Sequence, residues 1–250
     1  MLSDIAAVRQ AIDRVDHPAL LMVDAVSSLG AVDYRHDEWG VDVTVAGSQK
    51  GLMLPPGLGF NAISERALAA SHIAKLSRSY WDWAPVLDAA ERGFFPYTPA
   101  TNLLFGLDEA LAMLLEEGHD QVFARHLRLA QATRDTVATW DLEVYCRDEE
   151  AHSPTLTAVL MPKGHDADQL RQLVLQRFDL SLGTGLGPLQ GQLFRIGHLG
   201  SINDLMLCGA LCGIEMGLVL AGVPHKTGGI KSALDRLSAT SGHFEHPTAN

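Results

Sequence analysis

The chain has 250 residues, 47% hydrophobic and 20% charged, a composition that suits one large globular domain or a large and a small one. Lys and Arg number 19 against 30 Asp and Glu, and the net charge of −11 argues against a nucleic-acid partner, because neutralising a phosphate backbone needs clustered cations. Cys146, Cys208 and Cys212 have no metal-ligand spacing, so no metal is predicted and the thiols are expected to be reduced and mostly buried.

Met1 to Gln10 show no basic stretch leading into an apolar run, so no secretory leader is expected and a cytoplasmic protein is predicted. Ile5, Val8, Ile12 and Val15 recur at helical spacing and predict a helix over 4–15. The apolar runs at 19–26, broken by Asp24, and at 41–46 read as buried parallel strands, with a third strand at 58–63. A helix follows from 64, with Ser64 as its cap. Two helices are predicted at 102–117 and 120–139, joined at Gly118. Beyond a domain boundary near Trp140, strands are expected at 142–146, 155–161 and 193–196, with helices at 166–177 and 204–221.

The segment 205–223 is almost wholly apolar but contains Glu215. A carboxylate at a bilayer centre costs about 2.5 to 3.5 kcal/mol, so a buried helix is expected there rather than a membrane span. Residues 241–250 are polar and read as a frayed tail. The alternation of strands and helices in the first part implies an α/β layer with a mostly parallel sheet, and the second part a smaller α+β unit.

The chemistry rests first on Asp24, a carboxylate inside an apolar run, and Lys50, which follows a second such run. In open α/β sheets ligands bind at the carboxyl ends of strands, so both residues are expected at one crevice. Spacing alone leaves two readings open: a structural ion pair, or a Schiff-base lysine with an acidic partner for a pyridinium nitrogen.

The local words go further. Val23-Asp24-Ala25-Val26-Ser27-Ser28-Leu29-Gly30, Gly47-Ser48-Gln49-Lys50-Gly51-Leu52 and Pro55-Pro56-Gly57-Leu58-Gly59-Phe60 resemble the class V pyridoxal-phosphate aminotransferases, in their serine–glyoxylate and alanine–glyoxylate branch. The resemblance continues through Tyr97-Thr98-Pro99-Ala100-Thr101-Asn102 and Arg195-Ile196-Gly197-His198-Leu199-Gly200. It implies a fold-type I pyridoxal-phosphate-dependent transferase: residues 1–139 as a partial large domain with its connecting helix, 140–240 as the C-terminal small domain and 241–250 as a flexible tail.

The same resemblance implies that Lys50 carries pyridoxal 5'-phosphate as an aldimine, that Asp24 pairs with the ring nitrogen and that Val26 packs on a ring face. Gln49 and, more weakly, Ser48 would contact the cofactor phosphate, and Thr98 would reach the phosphate held by a second subunit, which makes a homodimer part of the expectation. Some branches place a tyrosine where this chain has Phe95, so that phenol contact to phosphate is either lost or taken over by Tyr97. Arg195 would bind a substrate α-carboxylate.

The implied reaction is ping-pong transamination from serine, alanine or aspartate to glyoxylate, giving glycine. The resemblance begins partway through the family's large domain, so its phosphate loop and ring-stacking aromatic would precede Met1, and an exposed sheet edge is expected. The alternative is a catalytically inactive short protein that binds pyridoxal phosphate or dimerises. A cysteine desulfurase is disfavoured, because Gln49 stands where that family has histidine and no cysteine lies in a supporting motif. Gly183-Thr184-Gly185-Leu186-Gly187 imitates a dinucleotide loop, but with Pro188 following it is expected to be a flexible loop. His198 is expected to be a packed or solvated side chain.

Overall fold

The computed structural model describes residues 1–240, and the expected tail at 241–250 lies outside them. The chain divides into two compact units, one of residues 4–119 and one of Met1–Ser3 with the described residues from Asp120 onward.

The first unit opens with α1 (Ile5–Arg14), whose first turn is capped by the Asp4 carboxylate accepting from the Ala7 N–H. Strands β1 (Met22–Asp24), β2 (Val43–Gly47) and β3 (Gly59–Ile63) form a sheet in that order. β1 runs parallel to β2 and pairs Asp24 with Val45, whereas β3 returns antiparallel. The mostly parallel sheet expected from sequence is therefore mixed in this part: residues 48–58 link β2 to β3 directly, and a parallel return needs a crossover of about a dozen residues or more, usually through a helix. The expected exposed edge is present at β1, where Met22 is 66% exposed. Leu21, Val23 and Val41 form a core under this sheet, with Ile5, Ile12, Tyr34 and Trp39 packed on it. Helices α2 (Glu65–Ile73, capped by Ser64), α3 (Trp83–Glu91) and α4 (Thr101–Glu117) follow.

The second unit begins within α5 (His119–Thr139) and holds β4 (Glu143–Val144), β5 (Leu156–Leu160), α6 (Ala167–Phe178), β6 (Gly183–Thr184), β7 (Leu193–Gly197), α7 (Asp204–Leu220) and α8 (Gly229–Thr240). Its sheet has the order β4-β5-β7-β6 and every ladder is antiparallel. The division falls at Asp120, one helix before the boundary read near Trp140, because Leu129, Ala132 and Val137 of α5 belong to the same buried cluster as Phe194, Leu211 and Ile214.

The apolar segment at 205–223 forms α7, a buried helix as expected, and no helix among the described residues is long and apolar enough to cross a membrane. Glu215 earns its place there: it accepts from the Trp140 indole N–H at 2.9 Å and from the backbone N–H groups of Gly228 and Ile230 at the start of α8. Burial alone would raise its pKa, but these donors outweigh it and hold the carboxyl below its usual range. The cysteines depart from expectation: Cys146 and Cys208 are half-buried and Cys212 is exposed, since it lies on the outward face of α7.

Candidate active site

Parallel pairing puts the carboxyl ends of β1 and β2 side by side, with Asp24 closing the first strand and Lys50 three residues past the second. A backbone contact locks the two following loops together. Gly51 lies so close to the Leu29–Gly30 peptide that a Cβ on it would stand 2.1 Å from the Leu29 carbonyl oxygen, and Gly30 itself has φ +77°. Glycine is required at Gly51 by space and favoured at Gly30 by backbone conformation.

Neither Asp24 nor Lys50 enters an ion pair among the described residues, so the structural-pair reading is not what the fold uses them for. Asp24 is exposed rather than buried, because α1 and its neighbours cover only the Val23 face of this short strand. Its Oδ1 accepts from the Val26 N–H at 2.9 Å. Val26 is consequently in a turn, closed by the Ser28 and Leu29 N–H groups on the Ala25 carbonyl, and not on the strand face expected for it.

Ser48 is fully buried and its hydroxyl is already engaged, donating to the Pro55 carbonyl at 2.8 Å and accepting from the Leu58 N–H at 3.2 Å. It shapes the loop that carries Lys50. Gln49 is exposed, and its side-chain amide folds back over Gly47, where a Cβ would meet Oε1 at 2.8 Å. Thr98 is exposed ahead of α4, Phe95 is 57% exposed, and Tyr97 packs its ring on Tyr80 with centroids 5.0 Å apart.

Arg195 lies in the other unit, in the middle of β7 and opposite Ala158 of β5 and Gly183 of β6. It makes no ion pair among the described residues, and its Nε is buried without a hydrogen-bond partner. A half-buried guanidinium with an unspent donor is equipped for a carboxylate from outside the chain. Three residues further on, His198 is packed: Nδ1 donates to the Pro154 carbonyl at 2.8 Å, which leaves Nε2 to accept from the Thr157 hydroxyl at 2.9 Å. Burial pushes its pKa down to about 4, helped by the Arg134 charge, so it is neutral at physiological pH. The segment expected to be a flexible loop at 183–187 is instead the edge strand β6 followed by a 3-10 turn at Gly187–Leu189.

Sequence reading missed Asp42, at the amino end of β2 and away from Lys50. Its carboxylate is 3% exposed and accepts from the Leu21 N–H at 2.7 Å, the Ser64 hydroxyl at 3.0 Å and the Arg66 guanidinium, with Arg9 3.8 Å away. Arg66 chiefly, with these other donors, holds its pKa down to about 2 against the opposing effect of burial. The cue was available: an aspartate at the end of the apolar run 41–46 needs a partner, and Arg66 follows the Ser64 cap. The arrangement is an anchor for α2 and the sheet.

The model of the family described as "Aminotransferase class-V" matches residues 1–187. The serine–glyoxylate aminotransferase of Methylorubrum extorquens is 48% identical over 226 residues, covering 88% of this chain and 56% of the relative. The L-aspartate–glyoxylate aminotransferase of Paracoccus denitrificans is 42% identical over 247 residues, covering 99% of this chain and 61% of the relative. The crystal structure of ureidoglycine–glyoxylate aminotransferase from Bacillus subtilis superposes with a TM-score of 0.86 at 28% identity, over 94% of this chain and 62% of that one. The chain thus spans between 56% and 61% of the length of these two curated relatives.

Proposed function

This chain belongs to the aminotransferase class-V family, and on that premise we propose that it carries the lysine, the acidic partner and the carboxylate-binding arginine of an enzyme transferring an amino group from a small amino acid to glyoxylate, giving glycine. The fold is that of the fold-type I pyridoxal-phosphate enzymes. The observation that carries the proposal is the juxtaposition of Asp24 and Lys50 at the carboxyl ends of adjacent parallel strands, both free of ion pairs among the described residues.

This donor set fits pyridoxal 5'-phosphate: a half-buried amine for its aldehyde and, beside it, a carboxylate whose Oδ1 is steadied by the Val26 N–H. When bound, the cofactor supplies an aldehyde carbon and an electron-withdrawing ring. Lys50 would hold that carbon through Nζ and, once released by an incoming amine, serve as the base that takes a proton from the substrate Cα and returns it. Asp24 would keep a proton on the ring nitrogen. Gln49 and, in a second subunit, Thr98 would serve the phosphate, Ser48 holding the loop that presents Gln49. Val26 would pack on the ring from its turn. Arg195 would take the α-carboxylate shared by amino and keto acid substrates.

The homodimer belongs to the same reading, and so does a cytoplasmic setting. Exposed Tyr80, Trp81, Phe94 and Phe95 in the first unit support a subunit contact, since a clustered apolar surface of this kind marks an interaction site. The chain mixed with pyridoxal phosphate should acquire a visible absorption band that Lys50→Ala lacks. Retention of the wild-type band by Lys50→Ala would remove the assignment.

A further inference from the structure

Arg195 leans across Gly183, its partner on the neighbouring strand. A Cβ built on Gly183 would stand 3.0 Å from the Arg195 Cβ, 3.1 Å from its Nε and 3.5 Å from its Cζ. Directly opposed residues in antiparallel strands ordinarily hold their Cβ atoms about 4.5 to 5.5 Å apart. The arginine stem therefore fills the volume that any other side chain at this position would claim.

Either the strand or the arginine would have to yield to a larger residue, and the structure shows which. The residues on both sides of Gly183 are tied to α6. Arg171 Nε donates to the Leu182 carbonyl at 2.8 Å, the Thr184 hydroxyl donates to Asp168 Oδ1 at 2.9 Å, and Arg171 pairs with Asp168 at 2.7 Å. Thr184 is also paired with the fully buried Phe194. With β6 clasped on each flank, the guanidinium is the part free to move. Its buried Nε has no hydrogen-bond partner among the described residues, and Nε–H is one of the two parallel donors a guanidinium can offer a carboxylate.

We propose that Gly183, clasped by Asp168, Arg171 and Thr184, is a positioning residue that sets the direction of the Arg195 guanidinium and thereby the affinity for small α-keto and α-amino carboxylates. This rests on the reading of Arg195 as the carboxylate site. It gives β6 a role in substrate choice: bulk at position 183 swings the arginine away from a short substrate, and glycine keeps it in place.

The test uses the whole chain, labelled with nitrogen-15, with the Arg195 Nε–H resonance assigned by its loss in Arg195→Lys and glyoxylate as the probe. Wild type should show a saturable shift of that resonance. Gly183→Ala should move the resonance before ligand is added and weaken glyoxylate binding about tenfold, the loss expected when one charge-assisted hydrogen bond is misdirected. Thr184→Val, nearly isosteric, opens the clasp without adding bulk and should weaken binding about threefold, a smaller misalignment of the same bond. A wild-type response with unchanged affinity in Gly183→Ala overturns the positioning role alone. Absence of any Arg195 response in wild type overturns the carboxylate reading, and the positioning role with it. Should Gly183→Ala fail to fold by circular dichroism, unchanged affinity in Thr184→Val is the overturning result.

Discussion

Residues 120–240 bury Trp140, Phe194, Leu211 and Ile214 completely, whereas residues 4–119 leave Met22, Trp81, Phe94 and Phe105 largely in solvent. Their polar residues differ in the same direction. In the second unit His126, His198, Thr133 and Thr136 are fully buried and each is hydrogen-bonded, so their job is to close a core. In the first unit the buried Asp42 and Ser48 stand at opposite ends of β2, one anchoring α2 and the other shaping the loop that carries Lys50. Burial is concentrated in the unit whose sheet carries Arg195, and exposure in the unit that carries Asp24, Lys50 and Thr98.

The largest effect is expected at Trp140. Trp140→Ala removes a fully buried ring and takes the indole donor from Glu215, which also caps α8. A loss of about 3 to 5 kcal/mol follows for the second unit, read as a shifted urea midpoint of its transition. An equal loss in the first unit would show that the two do not hold their stability separately.

Acid should separate the units as well. The His198 pKa is lowered to about 4 in the folded chain, against an ordinary value of 6.5, so below pH 6.5 the unfolded chain takes a proton that the folded one refuses. Its contribution is intact above pH 6.5, falls as the pH drops through that value, and is lost by about pH 4, a total of about 3 kcal/mol. Asp42 works in a lower window. Its folded pKa of about 2 lies below the ordinary 3.8, so its contribution is present above pH 3.8 and disappears as the pH falls through about 2, amounting to about 2 kcal/mol. Acid titration followed by circular dichroism should show the second unit weakening first. His198→Gln should flatten the upper window and Asp42→Asn the lower.

The parts of this molecule that were legible in its sequence are those with local causes. The helical spacing of Ile5, Val8 and Ile12, the Ser64 cap and the strand around Arg195 all survive in the structure. What escaped has a distant cause. The carboxylate that receives the Gly228 and Ile230 N–H groups at the start of α8 is Glu215 of α7, a partner from another helix. β6 is two residues long and is held by Asp168 and Arg171, so the glycines around it read as a loop. α3 was recognisable from Asp82 as a cap and Pro85 in the first turn, a signal obscured by the aromatic residues beside it. At the candidate site, word resemblance pointed to Lys50, Asp24 and Arg195. The exposure of Asp24 depended on which face of β1 other segments cover, which periodicity does not encode, and the turn at Val26 on the Asp24 carboxylate that accepts from its N–H.

The smallest expected effect is the most telling for the comparison. Asp24 is exposed, Lys50 is half-buried, and neither enters an ion pair among the described residues, so the fold gains little from either charge. Asp24→Asn keeps an oxygen to accept from the Val26 N–H, and Lys50→Ala removes an amine with no partner among the described residues. Each should change stability by less than about 0.5 kcal/mol, as surface substitutions do. Both should nevertheless disturb cofactor uptake: Lys50→Ala by losing the visible band, Asp24→Asn by altering its pH response. A destabilisation of about 2 kcal/mol in either variant would mean that the residue serves the fold after all. Its geometry at the strand end would then be an anchor like Asp42, and the division of labour between the two ends of β2 would fail.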